Sequence, residues 1–448
     1  MTGRQAQSAA GVAHGASLGA DVLRDVEARL LDTDELLERA YPGDDGTRQP
    51  VHTVYVPADR FTPALAAEWG EQALAAVEAG GGLDGLADRV GLPADLAAAV
   101  VPRVAEKLRT EPIEDLRIDF EDGYGDRGDD TEDADVRLAA ERVRRAVDEG
   151  TAPPFIGIRF KCFERPTRAR GIRTLDLFVT RLIEKGGLPD GLVLTLPKVT
   201  TVAQVEAMVQ LAEALEQAHG LAPGRIRFEV QVETPQLVLG ADGRSPVAQL
   251  PLAAPGRISG LHYGTYDYSA SLQIAAGHQS MEHPVADLAK GVMQLAVAGT
   301  GVRLSDGSTN ILPIGDRAEE AWALHARLVR RSLERGYYQG WDLHPAQLPT
   351  RYLATYAFYR DAYAPAAARL RAYLERTPGA VLDEPATARA LADVVLRGLQ
   401  CGALTDAEVT ADTGVDRRTL TLLAHPRLAA PTSSSPSATV HSTNEDQP

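Results

Sequence analysis

Eight short runs of strand-forming residues recur along the chain, most of them at intervals of roughly thirty to forty residues. They read VHTVYVPA from Val51, DLRIDFED from Asp115, PFIGIRF from Pro154, GLVLTLPKV from Gly191, RIRFEVQVE from Arg225, RISGLHYG from Arg257, STNILPIG from Ser308 and GWDLHPAQ from Gly340. Helical sequence such as TVAQVEAMVQLAEALEQA and RAEEAWALHARLVRRSLERG alternates with them. Repeated βα units build a parallel sheet, and eight of them suggest a closed barrel. The strand faces support closure. In RIRFEVQVE, Ile226, Phe228, Val230 and Val232 fall on one side, and Arg227, Glu229, Gln231 and Glu233 on the other. A doubly wound open sheet buries both faces under helices and reads as continuously apolar. A barrel can turn polar side chains inward and collect those at the strand C-terminal ends into a site. The expected fold is therefore α/β, a (β/α)8 TIM barrel, with a mixed sheet that keeps one wet face as the alternative.

Four segments are expected: a helical extension over 1–48, the barrel over 49–350, a helical segment over 351–430 that packs on a neighbouring subunit, and a disordered tail over 431–448. The extension contains DVLRDVEARLLDTDELLERA, with Leu23, Val26, Leu30 and Leu37 at helical spacing. The tail, PTSSSPSATVHSTNEDQP, has almost nothing to bury. Near the C-terminus LTDAEVTADTGVDRRTLTLLA has the pattern of a helix-turn-helix, but a formal charge of −16 repels phosphate backbones and anionic lipid surfaces, which favours a packing cap. Two cysteines, Cys162 and Cys401, exclude a disulfide scaffold and a cysteine-rich metal cluster. The first residues lack the basic start and apolar core of a signal peptide, so a cytoplasmic location is expected.

One motif is discounted at once. GGGLDG, Gly80 to Gly85, matches G-x-G-x-x-G but follows helical sequence instead of a strand, so it lacks the context a phosphate loop needs. The stretch EDLRIDFEDGYGDRGDDTED places ten carboxylates in twenty residues. Its first half alternates as a strand, so Asp119, Glu121 and Asp122 fall on the rim of a barrel site. Asp126 to Asp133 read as the solvated start of the next helix, where acids favour the N-terminal end of the dipole. Farther along, Glu233 closes strand five and Asp267 follows strand six. Neighbouring strand ends bring such carboxylates together, and Mg²⁺ is bound by one or two of them, with water and substrate oxygens filling its octahedron. Arg159 ends strand three, where its guanidinium fork matches a substrate carboxylate. A divalent ion beside it would neutralise an enolate, which suits 2-oxo acid or acyl enolate chemistry. Arg165, Arg168, Arg170 and Arg173 follow in the next loop, and most of them are expected at the surface. Lys198 in LPKV and His344 in LHPAQ sit at strands four and eight, each open to a structural or a catalytic role.

Taken in order, these motifs resemble the citrate lyase β-subunit and malyl-CoA lyase group of the HpcH/HpaI aldolase family, within the phosphoenolpyruvate/pyruvate-binding barrels, with malate synthase-like features. HTVYVPADR is similar to that family's opening strand, RIDFEDGYG to its acidic turn, LTLPKV to its Pro-Lys strand, QVETPQ to its Glu-Thr segment, GLHYGTYDYSAS to its Gly-x-x-Asp segment and GYYQGWDLHPAQLP to its His-Pro-x-Gln ending. The resemblance spans about Val51 to about Leu399. It implies Mg²⁺, with Mn²⁺ as a substitute, held by Glu233 and Asp267. It also implies a substrate carboxylate or carbonyl met by Arg159, and carbon–carbon cleavage or formation through a metal-stabilised enolate. RARGIRT resembles malate synthase and brings Arg170 forward as a substrate contact, beside Lys198 and His344. AVLDEP matches the segment that supplies an acid or base from a neighbouring subunit in relatives, which makes Asp383 the candidate and implies a homo-oligomer, a trimer or hexamer.

The chain departs from that pattern twice. Phe160, Lys161 and Cys162 stand where the family has Val-Asn after its strand-three arginine, and the acidic DDTEDAD replaces a basic helix start. Both positions bind substrate or coenzyme A in relatives, so a CoA ester and a free keto or hydroxy acid are both open. Phosphoenolpyruvate or pyruvate phosphotransfer on the same barrel, and a non-catalytic assembly subunit, are the competing readings.

Overall fold

A computed structural model describes residues 17–375 and 384–429. Eight parallel strands form one sheet in the order β7-β6-β5-β4-β3-β2-β1-β8. They are β1 His52–Pro57, β2 Asp115–Asp119, β3 Phe155–Arg159, β4 Leu192–Leu196, β5 Phe228–Val232, β6 Ile258–Tyr263, β7 Arg303–Ser305 and β8 Gly340–Asp342. A single parallel bridge, Ser305 to Gln339, joins the two ends, so the sheet curls into a barrel with helices outside. Seven strands lie in the expected runs. The seventh does not: STNILPIG is loop, and the strand is the RLS just before it. Gly299 and Gly301, both at positive φ, make the turn that aims Arg303–Ser305 along the sheet, whereas Asn310 and Pro313 suit a loop.

The alternation seen in the sequence has a structural counterpart. Leu116, Ile118, Ile156, Ile158, Phe228 and Val230 are buried under the helices. The opposite faces meet along the axis in a polar network. Arg117, fully buried, donates from Nε to Thr195 Oγ1 at 2.9 Å and from Nη2 to Glu229 Oε2 at 2.8 Å and Asp115 Oδ2 at 3.0 Å. His262 Nε2 lies 3.1 Å from Glu229 Oε1, while its Nδ1 accepts from Trp341 Nε1 at 3.1 Å. Gly157 is the residue paired with Arg117 on β3, and a Cβ there would lie 1.6 Å from the Val193 carbonyl oxygen. Only glycine lets those strands approach so closely.

The outer helices carry local signals. Val202–His219 opens on a capping box, Thr201 with Gln204, and ends at Gly220 in the left-handed region, φ +63°. Asp129–Asp148 begins with acids, as expected, but Glu132 and Asp133 are buried instead of solvated. The long helix Leu348–Glu375 packs on the barrel of its own chain. Its Arg351 donates from Nη2 to Asp342 Oδ1 at 2.9 Å, and Asp342 also holds His52 Nδ1 at 2.7 Å. Pro385–Cys401, Asp406–Thr413 and Arg417–Ala424 pack as a small cluster against it through Leu370, Val395, Val409 and Leu420, so the helix-turn-helix pattern is a packing cap. Among the described residues no helix is long and apolar enough to cross a membrane.

Burial pushes the Glu229 carboxyl up, but Arg117 and His262 outweigh it and hold it down to about 2 against an ordinary 4.5. A carboxyl with a depressed folded pKa adds stability that is complete above its unfolded pKa and is lost as pH falls toward the folded one. Glu229→Gln should therefore cost about 3 kcal/mol at neutral pH, a shift of roughly two pKa units. In urea titrations the gap between variant and wild type should close as pH falls from about 4.5 to about 2. A gap independent of pH would refute the paired carboxylate.

Candidate active site

The C-terminal ends of β2 to β6 converge on one acidic mouth. Asp119, the last residue of β2, accepts from Arg159 Nε and Nη2 at 2.7 Å each. The same carboxylate accepts from the backbone N–H groups of Glu121 at 3.0 Å and Gly123 at 2.8 Å, so one aspartate shapes the acidic turn and aims the arginine. Arg159 also stacks over Tyr55, its guanidinium carbon 4.8 Å from the ring centroid, and its Nη1 lies 3.3 Å from Glu121 Oε2. Bidentate pairing and a ring face leave it little rotational freedom.

Lys198, just past β4, is the second cation. Its ammonium donates to Glu121 Oε1 at 2.6 Å and to both Asp122 oxygens at 2.7 Å, and lies 3.9 Å from Asp267 Oδ2. Its backbone sits at φ +50°, a conformation that costs a non-glycine residue free energy and persists only when neighbours enforce it. From that position its N–H donates to Glu233 Oε2 at 3.1 Å.

Glu233 follows β5 and is buried. Burial pushes its carboxyl up to about 8, with Arg159 opposing and Glu121 and Asp267 adding. Burial also raises Glu121, whose Oε2 has no hydrogen-bond partner. Asp267, in the short helix Thr265–Ser271, is half exposed at the rim. A buried carboxyl that ionises only at cost, beside another at the rim, is a donor set suited to a hard divalent cation. Among the described residues no group of three metal-ligating side chains is assembled. Glu233 and Asp267 would thus hold the ion as a pair, with water or substrate oxygens completing its shell.

Of the residues expected from sequence, Asp119, Glu121, Asp122, Arg159, Lys198, Glu233 and Asp267 share this mouth. His344 lies at the end of β8, its Nδ1 accepting from Ala346 N–H at 3.2 Å, and burial lowers its pKa. Arg170 lies elsewhere. It sits on the helix Arg168–Glu184 and reaches Asp133 at 2.8 Å and Glu132 at 3.3 Å. Asp383 lies outside the described residues. Tyr55 and Gln231 were missed: Gln231 Nε2 donates to Tyr55 Oη at 3.1 Å, and both are buried beneath Arg159. The inward parity of the two strands was the signal that could have found them. Gly264 was missed too, because only the close packing of its neighbours reveals it.

The two departures in sequence meet in space. Lys161 Nζ donates to Glu132 Oε2 at 2.5 Å, and Arg170 and Arg173 neutralise Asp133. Cations that follow β3 are thus paired with acids that open the helix after β2.

A family model described as "Domain of unknown function (DUF6986)" matches residues 30–428. No curated protein matches the chain. Among solved structures, a citrate lyase from Burkholderia xenovorans LB400 is similar at 20% identity and TM-score 0.56, covering 82% of this chain and 97% of that one. CitE from Mycobacterium tuberculosis, in complex with magnesium, acetoacetate and coenzyme A, aligns at 17% identity and TM-score 0.45 over 80% and 99% of the two chains. A Haloferax volcanii malate synthase aligns at 16% and 0.46 over 68% and 76%. The Burkholderia likeness confirms the barrel.

A Cβ on Gly264 would lie 2.2 Å from Glu233 Cγ. Gly264→Ala should therefore displace Glu233 and weaken Mn²⁺ binding about tenfold or more by calorimetry, a loss of at least ~1.4 kcal/mol, with the far-UV circular dichroism unchanged. Unaltered affinity would remove Glu233 from the metal site.

Proposed function

We propose that this chain, which belongs to the DUF6986 family, is a Mg²⁺-dependent carbon–carbon lyase or aldolase acting on a 2-oxo or 3-hydroxy acid. The observation that carries the reading is the pairing of a buried, hard-to-ionise Glu233 with Asp267 beside a fixed guanidinium at the C-terminal mouth of a barrel. Mg²⁺ held by these two carboxylates would supply the positive charge that an enolate requires.

The chain's own groups do the rest. Arg159, aimed by Asp119 and Tyr55, receives a substrate carboxylate or carbonyl through its Nη1 edge. Lys198 neutralises Glu121 and Asp122, which lowers the repulsion an anionic substrate would meet at the mouth. Asp383 is proposed as the acid or base, reaching the mouth from a neighbouring subunit of a homo-oligomer. A small free acid is favoured over a CoA thioester because Lys161 and Arg170 are engaged by Glu132 and Asp133, which leaves those positions without cationic charge for a coenzyme phosphate.

The test is a cleavage and condensation screen with Mg²⁺, glyoxylate, pyruvate and oxaloacetate, with and without acyl-CoA partners. Glu233→Ala and Asp267→Ala should each lower turnover by about a hundredfold or more and weaken metal binding; Arg159→Lys should lower kcat/KM by a similar factor, because an ammonium cannot replace the fork. Unimpaired turnover in Asp383→Asn would end that assignment. Metal binding unchanged in both carboxylate variants would end the reading.

A further inference from the structure

Tyr55 on β1 and Gln231 on β5 meet across the lumen just beneath the mouth. Tyr55 is in register with Arg117 on β2, and Gln231 with His262 on β6, so the two lie between the Arg117–Glu229 network and Arg159. Gln231 is fully buried, yet among the described residues its amide meets one partner: Nε2 donates to Tyr55 Oη at 3.1 Å, and Oε1 has none. A buried polar atom left unpaired costs free energy that an apolar side chain of similar shape would not. Packing alone would therefore favour a leucine here. The glutamine is explained by the one bond it makes.

That bond bears on Arg159. Asp119 takes Arg159 Nε and Nη2 at 2.7 Å each, which fixes the guanidinium within its plane but leaves it free to tip about that edge. Tyr55 blocks the tipping on one side, its ring centroid 4.8 Å from the guanidinium carbon. The ring can do so only while it is itself held. Trp341, its ring centroid 4.8 Å from that of Tyr55, resists turning of the ring. Gln231, bonded to the hydroxyl on the axis of that turning, resists its swinging sideways. Burial pushes the Tyr55 hydroxyl up against the opposing pull of Arg159, so it stays a neutral partner for the amide.

We propose that Gln231 is a positioning residue: through Tyr55 Oη it holds the aromatic face that keeps the Nη1 edge of Arg159 in place beside Glu121. The inference rests on the reading in which Arg159 receives a substrate carboxylate. It adds a second line of support to that guanidinium, independent of Asp119 and reaching it from the opposite side of the barrel.

Oxalate, a dicarboxylate that binds without being turned over, is the probe. Calorimetry on the full chain loaded with Mn²⁺ should show oxalate bound about tenfold more weakly by Gln231→Leu and by Tyr55→Phe. The double variant should be no weaker than either, because both changes break the same tether. Mn²⁺ affinity should stay as in the wild type. The urea midpoint of Gln231→Leu should not fall, because the substitution removes an unpaired polar atom. Oxalate affinity untouched in both single variants, while Arg159→Lys weakens it, would overturn the proposal and spare the role of Arg159. Oxalate bound equally well by Arg159→Lys, or not bound by the wild type, would remove that role and the proposal with it. A loss of oxalate binding that only tracks a lowered urea midpoint would make Gln231 structural and overturn the proposal alone.

Discussion

A guanidinium fully buried on the barrel axis holds the structure together. Arg117 spans from β2 past the side-chain-free Gly157 to Thr195 on β4 and Glu229 on β5, and so ties three strands across the lumen. An unpaired buried charge would cost several kcal/mol, so Arg117 is tolerable only because carboxylates and a hydroxyl meet it. The same demand fixes which residues may stand around it, and gives the strands a register that apolar packing alone would leave looser. Glu229, His262 and Trp341 continue the chain of bonds toward β8, so the polar interior closes the ring where backbone pairing is thinnest.

The mouth repeats that logic with a different outcome. Carboxylates again outnumber cations: Asp119, Glu121, Asp122, Glu233 and Asp267 face Arg159 and Lys198. Here the balance is incomplete, and the surplus falls on Glu233, which is buried and, unlike the equally enclosed Asp119, has no guanidinium fork. An interior can leave charge unbalanced only where something else is meant to balance it. The strained backbone of Lys198 belongs to the same arrangement, because it lets one residue serve the acidic turn with its side chain and Glu233 with its N–H.

Much of this was legible because the barrel writes its two faces into its strands. The alternation in RIRFEVQVE separated Ile226, Phe228 and Val230 from Glu229, Gln231 and Glu233, and strand ends pointed to Arg159, Glu233 and Asp267. What was not legible depended on partners distant in sequence. Tyr55 matters through Arg159, and Gly264 through the crowding of Glu233, neither of which a local pattern records. The partners of Arg170 were not legible either, because a local motif does not say that Glu132 and Asp133 stand opposite. Strand seven was misplaced because three residues between glycines carry too little alternation to compete with the longer run that follows.

The ion pair between Lys161 and Glu132 bears on how such a chain can change. Glu132 is 1% exposed, and losing Lys161 would leave its buried carboxylate to Arg170 Nε at 3.3 Å and the Thr174 hydroxyl at 2.6 Å, at a cost approaching the roughly 3–5 kcal/mol of a broken buried pair. That is a large share of a typical folding stability of ~5–15 kcal/mol. The two positions are therefore coupled: a change at either one is tolerable only if the other changes with it.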